Sequence, residues 1–460
     1  MARILIVSNR VAPITEGQVS TGGLAVGVLD ALKKTGGIWM GWNGSVGSKS
    51  GDPCSQDENG NISQITWPLS QRDYDTFYRG FANGVLWPAF HFRSDLIHFR
   101  DEDYEGYRRV NRLFAEQIQR VAKPDDLIWI HDYHFLPLAQ YCRELGLKNR
   151  LGLFLHIPFP SPPIFRTIPN NDALARDMLA YDLVGLQTAG DRRALHDYCE
   201  RCLGASSTDG AITLDGKVTR TGVYPIGVCP EDIQHLAQEH KNSREVVKLK
   251  SGLQHRRLII SVDRLDYSKG LIERFRGFER LLDTRPRFRG AVSFVQIAPP
   301  SRTDVHGYRS LRQMLEQTSG RINARWTELS WTPIRYMNRS FDRPTLMSFF
   351  RASQVGLVTS LRDGMNLVAK EYVAAQSEDD PGVLVLSEFA GAADELAEGA
   401  LIINPHDTSS MSKALQAALD MHAAERRQRH QTMMQVLKKN DLIAWRERFL
   451  SDLENPPSGG

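Results

Sequence analysis

Short apolar runs recur along this chain and are separated by segments long enough to form helices. They show little polar alternation, which is typical of strands in parallel sheets that helices cover on both faces. The predicted strands are Ile4–Val7, Leu127–Ile130, Leu151–Leu155 and Leu183–Gln187 in the first half, and Leu258–Val262, Val292–Ile297, Val355–Val358 and Val383–Leu386 in the second. This pattern predicts an α/β fold with two Rossmann-like, doubly wound domains that face a central cleft.

The length of the chain also favours two domains. It has 460 residues, whereas single hydrophobic cores stop growing at roughly 250–300 residues. A polar, helix-compatible stretch lies between Tyr224–Gly227 and Arg257. We therefore expect an N-terminal domain at residues 1–230 and a C-terminal domain at residues 231–460, with the last helix packed back on the N-terminal domain.

The charge balance and the cysteines exclude several classes of protein. The 57 Lys and Arg residues against 54 Asp and Glu residues give a net charge of +3, which predicts no general affinity for nucleic acid or for anionic membranes. No apolar run approaches the roughly 18 residues of a membrane span, and the first run is too short for a secretory signal. Five cysteines, an odd and sparse set, predict a reducing, cytoplasmic environment without a disulfide framework.

A glycine pair follows the first predicted strand. Gly22 and Gly23 precede a predicted helix at Leu24–Lys34. At such a position backbone N–H groups can closely approach an anion or a sugar. The alternative is an ordinary turn.

Two cations follow the strand Leu258–Val262. Arg264 and Lys269 come before a helix that is predicted to begin near Gly270, and charge-assisted hydrogen bonds to phosphate are roughly twice as strong as neutral ones. The segment predicts a diphosphate site. The alternative is a loop in which Asp263 or Asp266 holds Arg264.

A third segment follows the strand Val355–Val358. Gly364 permits a tight turn, and a helix that begins near Asn366 offers N–H groups to phosphate. Asp363 and Glu371 flank this junction and lie too far apart in sequence to share neighbouring helix turns. A carboxylate suits vicinal hydroxyls because it accepts two hydrogen bonds. The alternative for Glu371 is an exposed helix residue.

Several patterns that resemble metal sites are interpreted as structural. Cys199 and Cys202 have the CxxC spacing, but no second cysteine or histidine pair follows at zinc-site distance. His131 and His134 flank Asp132 without a further ligand in register. Two acidic segments have the Asp-x-Asp spacing that manganese-dependent transferases use, and each precedes a predicted helix, where Asp is expected as a cap; they are Asp73-Tyr74-Asp75 and Asp101-Glu102-Asp103.

A series of motifs occurs in one order along the chain: SNR, TGGL, LWPAFH, IHDYH, HIPFP, YPIG, RLDYSKG, APPSR and LRDGMNLVAKEY. Over about residues 3–450 the chain thereby resembles the retaining glycosyltransferases of the trehalose-6-phosphate synthase family, which have two Rossmann-like domains in the B-type arrangement. The resemblance implies transfer of glucose from UDP-glucose to glucose 6-phosphate, with no metal or other cofactor. It also implies a homo-oligomer, either a dimer or a tetramer.

The resemblance implies a role for each matching residue. Expected donor contacts are Gly22, Gly23, Arg264, Lys269, Phe341, Asp363, Gly364, Met365, Asn366, Leu367, Val368 and Glu371. Expected acceptor contacts are Arg10, Tyr78, Trp87, Asp132 and Arg302, of which Arg10, Tyr78 and Arg302 bind the phosphate. The expected catalytic set is His156, Asp132, Arg264, Lys269 and Asp363.

The same residues also allow structural interpretations, and the same motifs allow other functions. Arg10 could form an interdomain salt bridge, Tyr78 and Trp87 could pack in a wall, and a lone His156 at a strand end is often a core residue. Whole-protein alternatives are a transferase with another phosphorylated acceptor, such as glycerol 3-phosphate, a pseudoglycosyltransferase that joins cyclitols, and a sugar-phosphate sensor without catalysis. The preferred nucleotide, uridine or guanosine, is not fixed by the sequence.

Overall fold

A computed structural model describes residues 3–11, 13, 32, 36–301 and 308–455. The chain forms two compact units: Met1–Pro225 with Ile443–Gly460, hereafter the first unit, and Ile226–Leu442, the second unit. The chain thus first changes unit after Pro225 rather than after residue 230, and its last residues belong to the first unit. Gly22, Gly23, Arg302 and nearly all of the helix expected at Leu24–Lys34 lie outside the described residues.

The described part of the first unit contains one ten-stranded sheet with the order β3-β4-β2-β1-β5-β6-β7-β10-β9-β8. Its strands are β1 (Ile4–Arg10), β2 (Gly37–Gly47), β3 (Ser55–Asn59), β4 (Ile62–Ser70), β5 (Leu127–His131), β6 (Arg150–Phe154), β7 (Leu183–Leu186), β8 (Ser206–Thr208), β9 (Ala211–Leu214) and β10 (Lys217–Val223). The strands from β4 to β10 in this order are parallel to their neighbours. The edge strands β3, β8 and β9 pair antiparallel.

Helices connect these strands. Their bounds are Gln71–Asp73, Tyr74–Leu86, Trp87–Phe90, Asp101–Val121, Leu138–Glu144, Pro162–Phe165, Asn171–Met178, Ala189–Leu203 and Leu442–Glu454, with short 3₁₀ turns at Ser94–Leu96 and Tyr133–Phe135. The segment Tyr74–Leu86 is a π-helix of 13 residues, a rare conformation that is found mostly in single turns and frequently at functional sites.

The C-terminal helix Leu442–Glu454 packs on the sheet of the first unit through its aromatic residues. The Phe449 ring lies 5.2 Å from the Trp129 ring, measured between centroids. A Cβ atom at Gly152 would lie 2.9 Å from the Phe449 ring, and one at Gly185 would lie 2.7 Å from it. Glycine at these two strand positions therefore makes room for the helix, because any larger residue would displace Phe449.

The described part of the second unit contains a six-stranded sheet with the order β13-β12-β11-β14-β15-β16. Its strands are β11 (Arg257–Val262), β12 (Val292–Ile297), β13 (Ile334–Met337), β14 (Val355–Val358), β15 (Val383–Ser387) and β16 (Leu401–Ile403). All neighbouring pairs are parallel. This is the doubly wound pattern that the buried apolar runs predict.

Helices of the second unit surround this sheet. Their bounds are Pro230–Glu239, Arg244–Leu253, Leu271–Thr284, Tyr308–Trp326, Arg343–Arg351, Leu367–Ala375, Ala393–Leu396, Thr408–Asp420 and Ala423–Lys439, with 3₁₀ turns at Tyr267–Lys269 and Pro286–Phe288. Phe275, Phe278 and Leu282 of one helix pack with Phe294 of β12 in a fully buried apolar core. No helix in the described parts of the chain is long and apolar enough to cross a membrane.

The α/β fold class with two Rossmann-like units is confirmed. All eight predicted strands occur, with bounds that differ by at most a few residues. The strands that were not predicted include β2 and β4, whose apolar residues are interrupted by Gly, Asn, Ser and Gln. β2 and β4 form strands because they pair with neighbouring strands of the sheet, and this tertiary pairing outweighs their weak local preference for strand.

Candidate active site

Neighbouring strands of the second sheet bring two of the predicted segments together. β11 and β14 pair in parallel, with Ile259 opposite Val355, so the segments that follow them leave the same edge of the sheet. Lys269 comes from the first segment and Asp363 from the second, and their side chains form an ion pair. The side chains of Lys269 and Asp363 are only 11% and 13% exposed. The structure therefore joins two motifs that are far apart in sequence.

The Asp363 carboxylate is held by several donors. Its Oδ2 atom accepts hydrogen bonds from Ser360 Oγ at 3.1 Å and Asn366 Nδ2 at 3.0 Å, in addition to the Lys269 ammonium. Asn366 has a φ of 82° and caps the helix Leu367–Ala375, because its Oδ1 accepts a hydrogen bond from Ala369 N at 3.0 Å. Asn tolerates this left-handed backbone better than most residues. The carboxylate is thus fixed beside a helix N-terminus.

A buried arginine that the sequence analysis did not single out supports the Lys269 segment. Arg274 is fully buried and donates to Asp263 Oδ2 at 2.8 Å, Gln296 Oε1 at 2.9 Å and the Lys269 carbonyl at 3.2 Å. Burial raises the pKa of the Asp263 carboxyl, although the cations of Arg274 and Lys269 oppose that shift. A buried arginine of this kind is tolerated because its donors are matched. Its place on the apolar face of the helix Leu271–Thr284 is the sequence signal that could have identified it.

The two acidic residues around Arg264 have partners of their own. Asp263 binds Arg274, and Asp266 accepts hydrogen bonds from Ser268 N and the Tyr308 hydroxyl, both at 2.9 Å. The Arg264 side chain itself is exposed. The acidic residues therefore serve to shape the turn that ends at Lys269.

Glu371 lies on the helix Leu367–Ala375, which follows the segment that contains Asp363. Its side chain is 19% exposed, and its Oε1 atom lies 3.6 Å from a guanidinium nitrogen of Arg343, whose side chain is 14% exposed. Burial raises the pKa of the Glu371 carboxyl, and the Arg343 guanidinium opposes this rise. The alternative of an exposed helix residue is therefore wrong for Glu371.

Phe341 lines a different feature of the second unit. A cavity of about 630 Å³ is lined by Lys248, Arg335, Met337, Arg339, Phe341 and Asp342, among others. The Arg339 guanidinium lies 4.5 Å from the centre of the Phe341 ring. Neither Lys269 nor Asp363 is among the described residues that line it, so this cavity is separate from the ion pair.

In the first unit, Arg10 and Tyr78 both lie beside residues of β2. Arg10 ends β1 and is exposed, and a Cβ atom at Gly44 would lie 2.7 Å from Arg10 Nε. Gly44, with a φ of 87°, makes room for this guanidinium. Tyr78 lies on the π-helix Tyr74–Leu86, 5.6 Å from the Trp42 ring and 6.1 Å from the stacked His134 ring.

Asp132 and His156 follow the neighbouring parallel strands β5 and β6. His156 N donates to Asp132 Oδ1 at 3.2 Å, and the ring nitrogens His156 Nε2 and His131 Nδ1 are 3.0 Å apart. Asp132 has a φ of 79°, a strained conformation of the kind that clusters at functional sites. Burial lowers the pKa of His156 to about 3, which keeps the imidazole neutral at physiological pH.

Trp87 begins the short helix Trp87–Phe90 and is 4% exposed. Its ring lies 4.0 Å from the His91 ring and 5.7 Å from the Tyr133 ring. These contacts agree with the interpretation that Trp87 packs in the wall of a site.

Comparison with known proteins decides the family. The model of a family described as Glycosyltransferase family 20 matches residues 7–455. The chain belongs to glycosyltransferase family 20. It is 50% identical over 459 residues to a trehalose-6-phosphate synthase of Cronobacter sakazakii, and the match covers 99% of this chain and 95% of the relative.

Solved structures agree with this assignment. A UDP-forming α,α-trehalose-phosphate synthase of Burkholderia vietnamiensis superposes with a TM-score of 0.97 at 53% identity, over 99% of this chain and 97% of the other. One from Burkholderia xenovorans, in complex with glucose 6-phosphate, has a TM-score of 0.95 at 51% identity, over 99% and 100% of the two chains. The Escherichia coli protein bound with UDP-2-fluoro glucose has a TM-score of 0.94 at 48% identity, over 99% of each chain.

In each of the two Asp-x-Asp segments, at least one aspartate forms hydrogen bonds with an arginine side chain. Asp73 accepts a hydrogen bond from Arg109 Nε at 2.9 Å, and Asp103 accepts from two nitrogens of Arg100 at 2.7 and 2.9 Å. The expected capping by an Asp side chain is wrong. Asp73 stands at the N-cap position of Tyr74–Leu86 and Arg100 at that of Asp101–Val121, and neither makes a side-chain cap hydrogen bond. Among the described residues, no group of three or more His, Cys, Asp or Glu side chains could hold a metal ion.

Proposed function

We propose that this chain transfers glucose from UDP-glucose to glucose 6-phosphate with retention of configuration and releases trehalose 6-phosphate and UDP. Its relatives named as trehalose-6-phosphate synthases match nearly the whole chain. The observation that carries the proposal is the ion pair of Lys269 and Asp363 at the carboxyl ends of β11 and β14. Such an edge is where ligands of open α/β sheets bind.

On the donor side, Lys269 and Arg264 take the diphosphate, and Asp363 with the backbone of Gly364–Val368 takes the transferred glucose. Glu371 accepts hydrogen bonds from the ribose hydroxyls, Phe341 contacts the donor through its backbone, and Gly22 and Gly23 lie against the donor sugar. The N–H groups at the N-terminus of Leu367–Ala375 add donors for negative charge.

On the acceptor side, Arg10, Tyr78 and Arg302 bind the phosphate of glucose 6-phosphate, because a dianion requires several cations or strong donors. Asp132 and Trp87 orient the acceptor sugar. His156 lies against the transferred glucose.

Chemistry proceeds on one face of the donor sugar. The bond from the anomeric carbon to the diphosphate oxygen breaks while the acceptor hydroxyl oxygen bonds to the same carbon. The departing phosphate oxygen takes the hydroxyl proton. Lys269 and Arg264 stabilise the negative charge that develops on the diphosphate. Trapping of a covalent glucosyl-enzyme would contradict this course.

Product analysis tests the proposal. Purified protein is incubated with glucose 6-phosphate and each of UDP-, GDP- and ADP-glucose, with and without EDTA. We expect trehalose 6-phosphate and UDP, with rates that EDTA leaves unchanged. Glycerol 3-phosphate serves as the alternative acceptor. Binding of both substrates without turnover would favour the sensor function, and a product with glycerol 3-phosphate alone would favour another transferase.

The remaining parts of the proposal concern cellular context. We propose a cytoplasmic homo-oligomer, dimer or tetramer, that binds neither nucleic acid nor membrane. Light scattering after size-exclusion chromatography measures the assembly, and a monomer at assay concentration would contradict it.

The Glu371 role gives a pH prediction. Glu371 must be ionised to accept hydrogen bonds from two hydroxyls, and Arg343 is the cation that opposes the rise in its pKa. Replacing Arg343 by Met removes that cation, so the pKa rises further and the carboxyl protonates at a higher pH. We therefore expect the KM for UDP-glucose of R343M to increase as pH falls from neutral, beginning at a higher pH than in the unmodified protein.

Arg351 offers the matched control for this experiment. It lies at the other end of the helix Arg343–Arg351 and donates to the carbonyls of Ala375 and Gln376 at 3.3 Å. R351M should shift the thermal midpoint without moving the pH profile of the donor KM. Parallel pH profiles for R343M and the unmodified protein would refute the pairing of Arg343 with a functional Glu371.

A further inference from the structure

A second histidine stands behind His156. His131 is the last residue of β5 and is fully buried, and its Nδ1 atom lies 3.0 Å from His156 Nε2. The adjacent Asp132 accepts from the backbone N–H of His156 at 3.2 Å. Two consecutive residues therefore hold His156, one through its backbone and the other through its ring.

The hydrogen bond between the rings requires one proton between them. Burial lowers the pKa of both imidazoles, so at neutral pH each ring carries one N–H group and one lone pair. Either His131 Nδ1–H donates to His156 Nε2, or His156 Nε2–H donates to His131 Nδ1. In the first arrangement His156 presents Nδ1–H to a ligand, and in the second it presents a lone pair.

The surroundings of His131 favour the first arrangement. The ring lies 4.5 Å from Trp129 and 6.4 Å from both Phe154 and Trp445. Within the described residues, His131 Nε2 and the indole nitrogens of Trp129 and Trp445 are buried without hydrogen-bond partners. A proton on His131 Nε2 would be a third buried donor without an acceptor, beside the two indole N–H groups. A lone pair on that nitrogen adds no unsatisfied donor. Orphaned buried N–H groups are rarer than under-satisfied acceptors.

We propose that His131 is a positioning residue that fixes the neutral Nδ1–H tautomer and the ring orientation of His156, so that His156 donates a hydrogen bond to an oxygen of the transferred glucose. The proposal rests on the proposed function, in which His156 lies against that sugar. It extends that function by assigning a role to a residue that contacts no substrate. The general reason is that the partner of one imidazole nitrogen determines the state of the other.

Three variants separate positioning from packing. His131→Leu removes the ring hydrogen bond, and His131→Asn retains a side-chain amide that can donate to His156 Nε2. His430→Leu is the matched control, because His430 is also buried and bonds to a backbone carbonyl, that of Val373, at 3.1 Å. The protein is labelled with ¹⁵N-histidine, and the ring nitrogens are assigned as protonated or bare by NMR, with His156→Gln used to assign the signals of His156.

We expect His156 Nδ1 to be protonated and Nε2 bare in the unmodified protein. H131L should lose this single tautomer and lower kcat/KM for UDP-glucose by about 10- to 100-fold, the cost typical of a metal-ligating histidine that loses its orienting partner. Its dissociation constant for UDP should stay unchanged, since UDP lacks the glucose. H131N should recover most of the activity, and H430L should keep the tautomer of His156.

The results distinguish failure of this proposal from failure of the proposed function. If the unmodified protein forms no trehalose 6-phosphate, the function itself is refuted. If H156Q loses transfer but H131L retains both full activity and the Nδ1–H tautomer, only the positioning role is refuted. Protonated Nε2 of His156 in the unmodified protein, or equal loss of UDP binding and turnover in H131L, would also overturn it.

Discussion

Replacing Lys269 by Met is expected to lower kcat by about 100- to 1,000-fold, the usual cost of removing one preorganised donor from a developing charge. Lys269 is the buried cation of the proposed diphosphate site, and its ammonium bonds directly to Asp363. The same change removes the cation opposite that carboxylate. We therefore also expect a lower free energy of unfolding, by about 2 kcal/mol, since Asp363 keeps its bonds to Ser360 and Asn366.

A double-mutant cycle separates these two effects. D363N should also lose activity, because the proposed glucose contact is changed. K269M/D363N should regain much of the stability that K269M loses, since neither charge is left buried, but it should regain no turnover. K250M replaces an exposed lysine of the same unit and serves as the control. UDP release and chemical denaturation are the measurements. Near-normal kcat in K269M would remove Lys269 from the proposed mechanism.

Replacing Lys370 by Met is expected to destabilise the protein by about 3–5 kcal/mol, because it breaks a buried ion pair by removing one partner. Lys370 is fully buried, and its ammonium donates to the Ile226 carbonyl at 2.7 Å and to the Glu395 carboxylate. Glu395 also accepts from Asn440 Nδ2 at 2.9 Å. Lys370 thus stabilises both ends of the second unit, directly at Ile226 and through Glu395 at Asn440, close to where the chain changes unit.

Restoring charge balance should recover much of this loss. In K370M/E395Q no buried carboxylate lacks its cation, so the double variant should be more stable than K370M. K413M replaces an exposed lysine and should leave stability within about 0.5 kcal/mol of the unmodified value. The measurement is urea unfolding followed by fluorescence and circular dichroism. Equal stability of K370M and K413M would show that the ion pair contributes nothing to the fold.

The position of the donor segments could be predicted because it depends on local pattern. Lys269 and Asp363 each follow a buried apolar strand, and side chains after parallel strands gather at one sheet edge. The predicted helix starts near Gly270 and Asn366 are confirmed by helices at Leu271–Thr284 and Leu367–Ala375. Their ion pair was not predicted, because only the sheet order shows that β11 and β14 are neighbours.

Buried polar partners could not be read from the sequence in the same way. Arg274 lies on the apolar face of its helix, which indicates burial, but the hydrogen-bond partners of Arg274 and Lys370 come from several elements. Similarly, His131 was interpreted with His134, three positions away, whereas its ring bonds to His156, which follows the neighbouring strand β6. Sequence spacing describes proximity along one element, but hydrogen bonds at strand ends join different elements.

By itself, the sequence determined the α/β class, eight strands, the loops that end in Lys269 and Asp363, and the resemblance that identified the family. Each of these depends on short-range order: apolar runs, glycine turns and motifs that remain contiguous along the chain. Only the tertiary structure decided which strands are neighbours, that the chain first changes unit after Pro225, and which charges are paired and buried. Those properties depend on contacts between different elements, such as Lys269 with Asp363 and Lys370 with Ile226, where the free energy of burial and pairing, rather than local preference, selects the partner.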